Sequence, residues 1–104
     1  MALEINAENF ESLKNSDQLV IIDFWAQWCG PCRALTPTIE ELAKEYEGRA
    51  IIGKCDTDAC PDIAMEYGVR NIPRLVFLKG GEVQDVNVGL IKKNELQAKI
   101  DALL

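Results

Sequence analysis

Two cysteines separated by a glycine and a proline, Cys29-Gly30-Pro31-Cys32, are the residues best equipped for chemistry in this 104-residue chain. Thiolate is the attacking species in disulfide exchange, so a dithiol is a candidate carrier of electrons between disulfides. The pair follows the nearly continuous apolar run Leu19-Val20-Ile21-Ile22-Asp23-Phe24-Trp25, which reads as a strand buried on both sides. It precedes Leu35, Ile39, Leu42, Ala43 and Tyr46, which fall at helical spacing. The dithiol therefore sits where a buried strand gives way to a helix. Positions three apart on a helix share a face, so the two sulfurs come within bonding distance without backbone rearrangement. Pro31 suits the first turn, where a missing N–H costs nothing. At the helix N-terminus Cys29 feels the positive end of the dipole and free N–H groups, which favour thiolate. Cys29 is expected to be the exposed nucleophile and Cys32, one turn in, the covered resolving thiol.

Cys-x-x-Cys is also half of a zinc site, and a second pair, Cys55 and Cys60, is present. Zinc ribbons repeat a tight knuckle in small, loop-rich units, whereas four residues separate Cys55 from Cys60 and the first pair opens a long helix. That context favours redox chemistry and no bound metal. Asp23 is the next residue of interest, a carboxylic acid inside an apolar strand. Desolvation should raise its pKa, although an acid satisfied by local hydrogen bonds is an equally simple reading.

The bulk numbers set the frame. A chain of this length makes one compact domain, residues 1–104, and buries roughly 65% of its unfolded surface. Hydrophobic residues make up 48% of it, and the net charge is −6 with no basic block. These values predict an ordinary core and argue against nucleic acid and anionic membranes as partners. No segment has the apolar length to span a bilayer. The start, Met1-Ala2-Leu3-Glu4-Ile5-Asn6, lacks both the basic residues and the apolar run of a secretory signal. A cytoplasmic location is the expectation, and in that reducing compartment four cysteines read as catalytic or metal-binding rather than as a structural framework.

Patterning predicts the elements that must hold the dithiol. A short strand over Leu3–Ile5 leads to a helix near Glu8–Asn15, then the Leu19–Trp25 strand and an amphipathic helix over Cys32–Glu47. Pro37 lies inside that helix and should kink it. A strand over Ala50–Cys55 and a short helix over Pro61–Tyr67, ending at Gly68, come next. Leu75–Leu78 and Glu82–Val88 flank Gly80-Gly81, the signal of an antiparallel hairpin. A last helix from about Lys93 should bury Leu96, Ile100 and Leu103. Strand–helix–strand in the middle implies a parallel crossover. The fold class is α/β, a central mixed β-sheet flanked by helices.

The stretch Asp23-Phe24-Trp25-Ala26-Gln27-Trp28-Cys29-Gly30-Pro31-Cys32-Arg33 is close to the signature of the thioredoxin family. Tyr67-Gly68-Val69-Arg70-Asn71-Ile72-Pro73 and Gly80-Gly81-Glu82 fall at family spacing, and the resemblance runs over essentially the whole chain. It implies the thioredoxin fold and reduction of protein disulfides by dithiol exchange, with electrons returned by a flavin-containing, NADPH-dependent thioredoxin reductase. It implies a monomer that binds no cofactor of its own. The resemblance also implies that Asp23 lies buried behind the dithiol and takes the Cys32 proton through water, with Lys54 held near it by charge. A given X–Pro bond is cis only about 5–6% of the time, but by resemblance Ile72–Pro73 should be cis and face the dithiol. The Ile72 backbone would then pair with an extended substrate. Trp28, Gly30, Pro31, Val88, Gly89 and Leu90 match the rest of the family's shallow contact surface. Without the resemblance, Lys54 reads as a solvated lysine, Pro73 as a proline opening a strand, Val88 and Leu90 as core, and Gly89 as a bulge.

Three departures stand out. Arg74 occupies a position where the family commonly has threonine; its guanidinium could pair with acidic substrates or, the simpler reading, with a carboxylate of its own fold. Thr57 replaces a residue that is often apolar. Cys55 reads as small core filling and Cys60 as a thiol at a helix start. A regulatory disulfide between these two requires the chain to turn back sharply between them, and oxidation or intermolecular pairing through an exposed Cys60 is the comparable alternative. Two rival functions remain at this level, a zinc-binding interaction module and a redox-silent subunit that supports a partner enzyme.

Overall fold

The computed structural model describes residues 2–104. Nine elements follow in order: β1 (Leu3–Glu4), α1 (Phe10–Lys14), β2 (Leu19–Trp25), α2 (Gly30–Glu45), β3 (Ala50–Asp56), α3 (Pro61–Glu66), β4 (Arg74–Lys79), β5 (Glu82–Val88) and α4 (Lys93–Leu103). The strands form one sheet in the order β1-β3-β2-β4-β5. β3 runs parallel to β2 and β1, whereas β4 and β5 are antiparallel to their neighbours. The sheet is thus mixed, with the predicted parallel crossover on one side and the predicted hairpin on the other.

β2 is central because six of its seven residues are buried, which only a strand covered on both faces achieves. Its side chains alternate between two clusters. Leu19 and Ile21 join Leu35, Ile39 and Leu42 of α2 and Leu96 and Ile100 of α4 on one face. Val20, Ile22 and Phe24 join Phe10 of α1 and Ile63 and Ala64 of α3 on the other. Leu103, expected in the core, is only partly buried beside the first cluster.

Most predicted boundaries differ by a residue or two, and two differences bear on the site. α2 starts at Gly30 rather than Cys32, because Gly30 and Pro31 carry no apolar periodicity yet occupy the first helical turn. The helix also continues through Pro37, the one interior proline. β3 reaches Asp56 and so extends alongside Trp25, the last residue of β2.

Gly53 lets β1 join the sheet. It pairs with Leu3, and a Cβ at this position would lie 2.9 Å from the Leu3 carbonyl oxygen and 2.7 Å from the Ile5 side chain. No helix among the described residues is long and apolar enough to cross a membrane.

Candidate functional site

Ala26 to Cys29 link β2 to α2, and Cys29 is the N-cap of that helix. Its backbone is extended, and its sulfur accepts the Cys32 backbone N–H at 3.2 Å. A first-turn N–H would otherwise lack an intrahelical partner, so the cap presents a donor to the sulfur. Cys29 and Cys32 are joined by a disulfide, with their Cα atoms 5.2 Å apart. Cys29 Sγ lies 3.9 Å from the Ile72 carbonyl oxygen, and the Ile72–Pro73 bond is cis.

The structure corrects the expected exposure of Cys29. Its residue exposure is 5%, against 0% for Cys32. Both cysteines pack with Ala26, Trp25 and Ile72. The loop carrying Ile72 covers the first turn of α2 from across the sheet, which helical periodicity cannot reveal. The two sulfurs still differ, since only Cys29 retains accessible surface.

Asp23 is fully buried, and neither carboxylate oxygen has a hydrogen-bond partner within the protein. Burial raises its pKa from 3.8 to about 7, partly offset by the positive charge of Lys54. Lys54 stands directly opposite Asp23 across β2 and β3. It is half-buried rather than solvated, with Nζ 4.2 Å from the centre of the Trp25 ring. The same Nζ donates to the Thr36 hydroxyl at 2.9 Å, and that hydroxyl donates to the Cys32 carbonyl at 3.2 Å. Lys54, whose charge acts on Asp23 from the facing strand position, is thus hydrogen-bonded through Thr36 to the backbone of Cys32.

Trp28 is 69% exposed, and its indole N–H donates to Asp58 at 2.9 Å. Gly30 and Pro31 are exposed beside it. Val88 and Leu90 are exposed at 52% and 62%, so neither belongs to the core. Gly89 has φ +89 and donates its N–H to the Pro73 carbonyl at 2.8 Å, which ties the end of β5 to the cis-proline loop. A glycine tolerates this left-handed conformation without strain. Trp28, Val88 and Leu90 thus present apolar surface to solvent, and the cis-proline loop touches both Cys29 and Gly89.

Arg74 does not pair with a carboxylate. No ion pair involves it among the described residues, and its Nε is buried without a partner. Its register explains this, because Arg74 lies between Phe24 and Val88, on an apolar stripe of the sheet. Among the described residues no group of three or more Cys, Asp or Glu is placed to hold a metal ion.

Sequence reasoning missed three participants. Asp58 anchors Trp28, Thr36 links Lys54 to Cys32, and Asp56 folds the turn after β3 by accepting the backbone N–H groups of Asp58 and Ala59. Asp-x-Asp directly after a strand is a turn signal, and Thr36 stands four residues beyond Cys32, within reach of its carbonyl.

A disulfide closed across the first turn of a helix, under a cis-proline loop and before a buried acid, defines a thiol–disulfide oxidoreductase. The thioredoxin family profile matches residues 1–102. The chain is 50% identical over 99 residues to a thioredoxin of Chlorobaculum thiosulfatiphilum, covering 94% of this chain and 92% of that protein. It is 48% identical over 99 residues to thioredoxin 2 of Chlorobaculum tepidum, covering 94% and 91%, and 42% identical over 91 residues to thioredoxin 1 of a Nostoc species, covering 88% and 85%. The chain belongs to the thioredoxin family.

Proposed function

We propose that this chain reduces disulfides of protein substrates, with Cys29 as nucleophile and Cys32 as resolving thiol. The observation that carries the assignment is the Cys29 sulfur at the N-cap, facing the Cys32 N–H and holding the only accessible surface of the pair. In the reduced protein the Cys29 thiolate attacks one sulfur of a substrate disulfide. A mixed disulfide forms, and the other substrate sulfur leaves as thiolate and takes up a proton. Cys32 then loses its proton and attacks Cys29 Sγ, which releases the second substrate thiol and leaves the Cys29–Cys32 disulfide. The substrate gains two electrons and two protons, and the protein loses the same number.

Asp23 is the proton acceptor for Cys32. A carboxyl titrating near 7 changes charge in the range where a base is most useful. Lys54 keeps it from rising further, and Thr36 fixes Lys54. The substrate lies across Trp28, Gly30 and Pro31 on one side and Ile72, Pro73, Val88, Gly89 and Leu90 on the other. Its backbone pairs with that of Ile72. A flavin-dependent, NADPH-dependent thioredoxin reductase returns the disulfide to the dithiol. The chain acts as a monomer in the cytoplasm.

Trapping tests this reading. Cys32→Ser should hold substrate proteins as covalent complexes that a reducing agent dissolves, and Cys29→Ser should hold none. Equal trapping by both variants would overturn the division of roles.

A further inference from the structure

Cys55 and Cys60 lie outside the machinery described above, yet they are placed together. Cys55 is fully buried at the end of β3, in the cluster with Phe24 and Ile63, and half-buried Cys60 packs against the same cluster. Both are free thiols. The turn between them is tight. Asp56 caps the N–H groups of Asp58 and Ala59 with its carboxylate, and its carbonyl accepts the Cys60 N–H at 2.9 Å. The chain therefore turns back between the two cysteines, and both side chains join the same apolar cluster on this side of the sheet.

The two thiols differ in access. Cys60 lines a cleft of about 590 Å³ together with Ile5, Trp25, Asp56 and Ala59, whereas Cys55 has no accessible surface. Burial, with the neighbouring Cys60 adding to it, pushes the Cys55 thiol up to about 12. Cys55 is therefore a poor first nucleophile, and an incoming reagent meets Cys60.

We infer that Cys55 and Cys60 form a second redox pair, closed to an intramolecular disulfide by small disulfides that enter the cleft at Cys60. In the first step the Cys60 thiolate attacks a small disulfide RSSR, giving a Cys60–SR mixed disulfide and one RS⁻, which is protonated. In the second, Cys55 gives up its proton and attacks Cys60 Sγ, expelling the second RS⁻. The pair loses two electrons and two protons, and RSSR becomes two RSH. The turn that carries this pair is bonded to the active surface. Thr57 N–H donates to the Trp25 carbonyl at 2.9 Å, and Asp58 holds the Trp28 indole. Closure of the second pair therefore reaches Trp28.

The experiment uses the full chain with Cys29→Ser and Cys32→Ser, so its outcome does not depend on the reading of the first pair. The probe is oxidised glutathione. Loss of two thiols per chain is expected, with release of two glutathione thiols, no retained adduct and a Cys55–Cys60 cross-linked peptide. The Trp28 indole N–H resonance should shift at the same time. Adding Cys55→Ala should leave glutathione attached to Cys60, and adding Cys60→Ser should leave the protein unreactive. A stable glutathione adduct on Cys60 with Cys55 present, or no loss of thiols, would overturn the pair. A cross-linked protein with an unmoved Trp28 resonance would overturn the link to the active surface.

Discussion

Cys29 caps a sixteen-residue helix and Cys60 a six-residue one, and each is followed closely by a proline in the first turn. Locally the two cysteines look alike. Their sulfurs nevertheless meet different partners. Cys29 accepts the N–H of Cys32, its partner three residues on, whereas the Cys60 side chain makes no cap hydrogen bond and its partner lies five residues back, at the end of a strand. A helix start alone does not make a reactive thiol. Cys29 adds a backbone donor aimed at its sulfur and a second thiol on the same turn, whereas Cys60 is set apart by its access from the cleft. Proton management differs as well, since the first pair has the buried acid Asp23 behind it and the second lies among apolar side chains.

The sharpest break between the pairs should come from removing one sulfur of each. Cys29→Ser should bring disulfide reduction down to the uncatalysed background, and Cys60→Ser should keep the parental rate in reduced protein, both followed by turnover of a model disulfide. Comparable losses in the two variants would erase the distinction.

Next in size is Asp23→Asn, which removes a charge that the fold holds without a hydrogen bond. The folded pKa of about 7 lies above the unfolded value of 3.8, so the native state binds the proton more tightly. Stability linked to Asp23 is fully present below the unfolded value and is lost as pH rises through the folded one. A difference of this size amounts to about 4 kcal/mol. Asp23→Asn should therefore be more stable than the parent by up to that amount near about pH 9, and about equal to it near pH 3. Denaturant unfolding at the two pH values checks this. In the same variant, decay of the mixed disulfide should slow by roughly 10²-fold or more while its formation changes little, as loss of a positioned base predicts. Stopped-flow kinetics separate the two steps.

Lys54→Met should have a smaller effect. Lys54 lowers the pKa of Asp23, so its removal should move the pH midpoint of mixed-disulfide release above that of the parent. A downward movement would show that Lys54 acts on Cys32 instead. The smallest change is expected for Trp28→Phe. It deletes one exposed hydrogen bond to Asp58, worth about 1 kcal/mol or less, so unfolding should hardly change while KM for a protein substrate rises.

Much of this was legible in the order of the residues. The apolar run Leu19–Trp25 announced a strand covered on both faces, because it is nearly continuous, and it flagged Asp23 as an acid exposed to desolvation, while the family resemblance placed that acid behind the dithiol. The spacing of Cys29 and Cys32 announced a shared helical face. Contacts across the sheet were not legible. The cover over Cys29 comes from Ile72, 43 residues away, and the chain from Lys54 to Cys32 passes through Thr36 on a different element. The lone Nε of Arg74 follows from its register against Phe24 and Val88, which strand pairing alone decides.

Gly53 has a consequence for how the molecule keeps to itself. Without β1, the seven residues of β3, Ala-Ile-Ile-Gly-Lys-Cys-Asp, would form an outer rim of unsatisfied N–H and C=O groups. Such a rim is a template for a strand from another molecule. Two residues of β1 blunt it, and they fit only because position 53 carries no side chain. A single methyl group there, far from any cysteine of the active surface, would crowd β1 and leave the β3 edge open to a strand from another molecule.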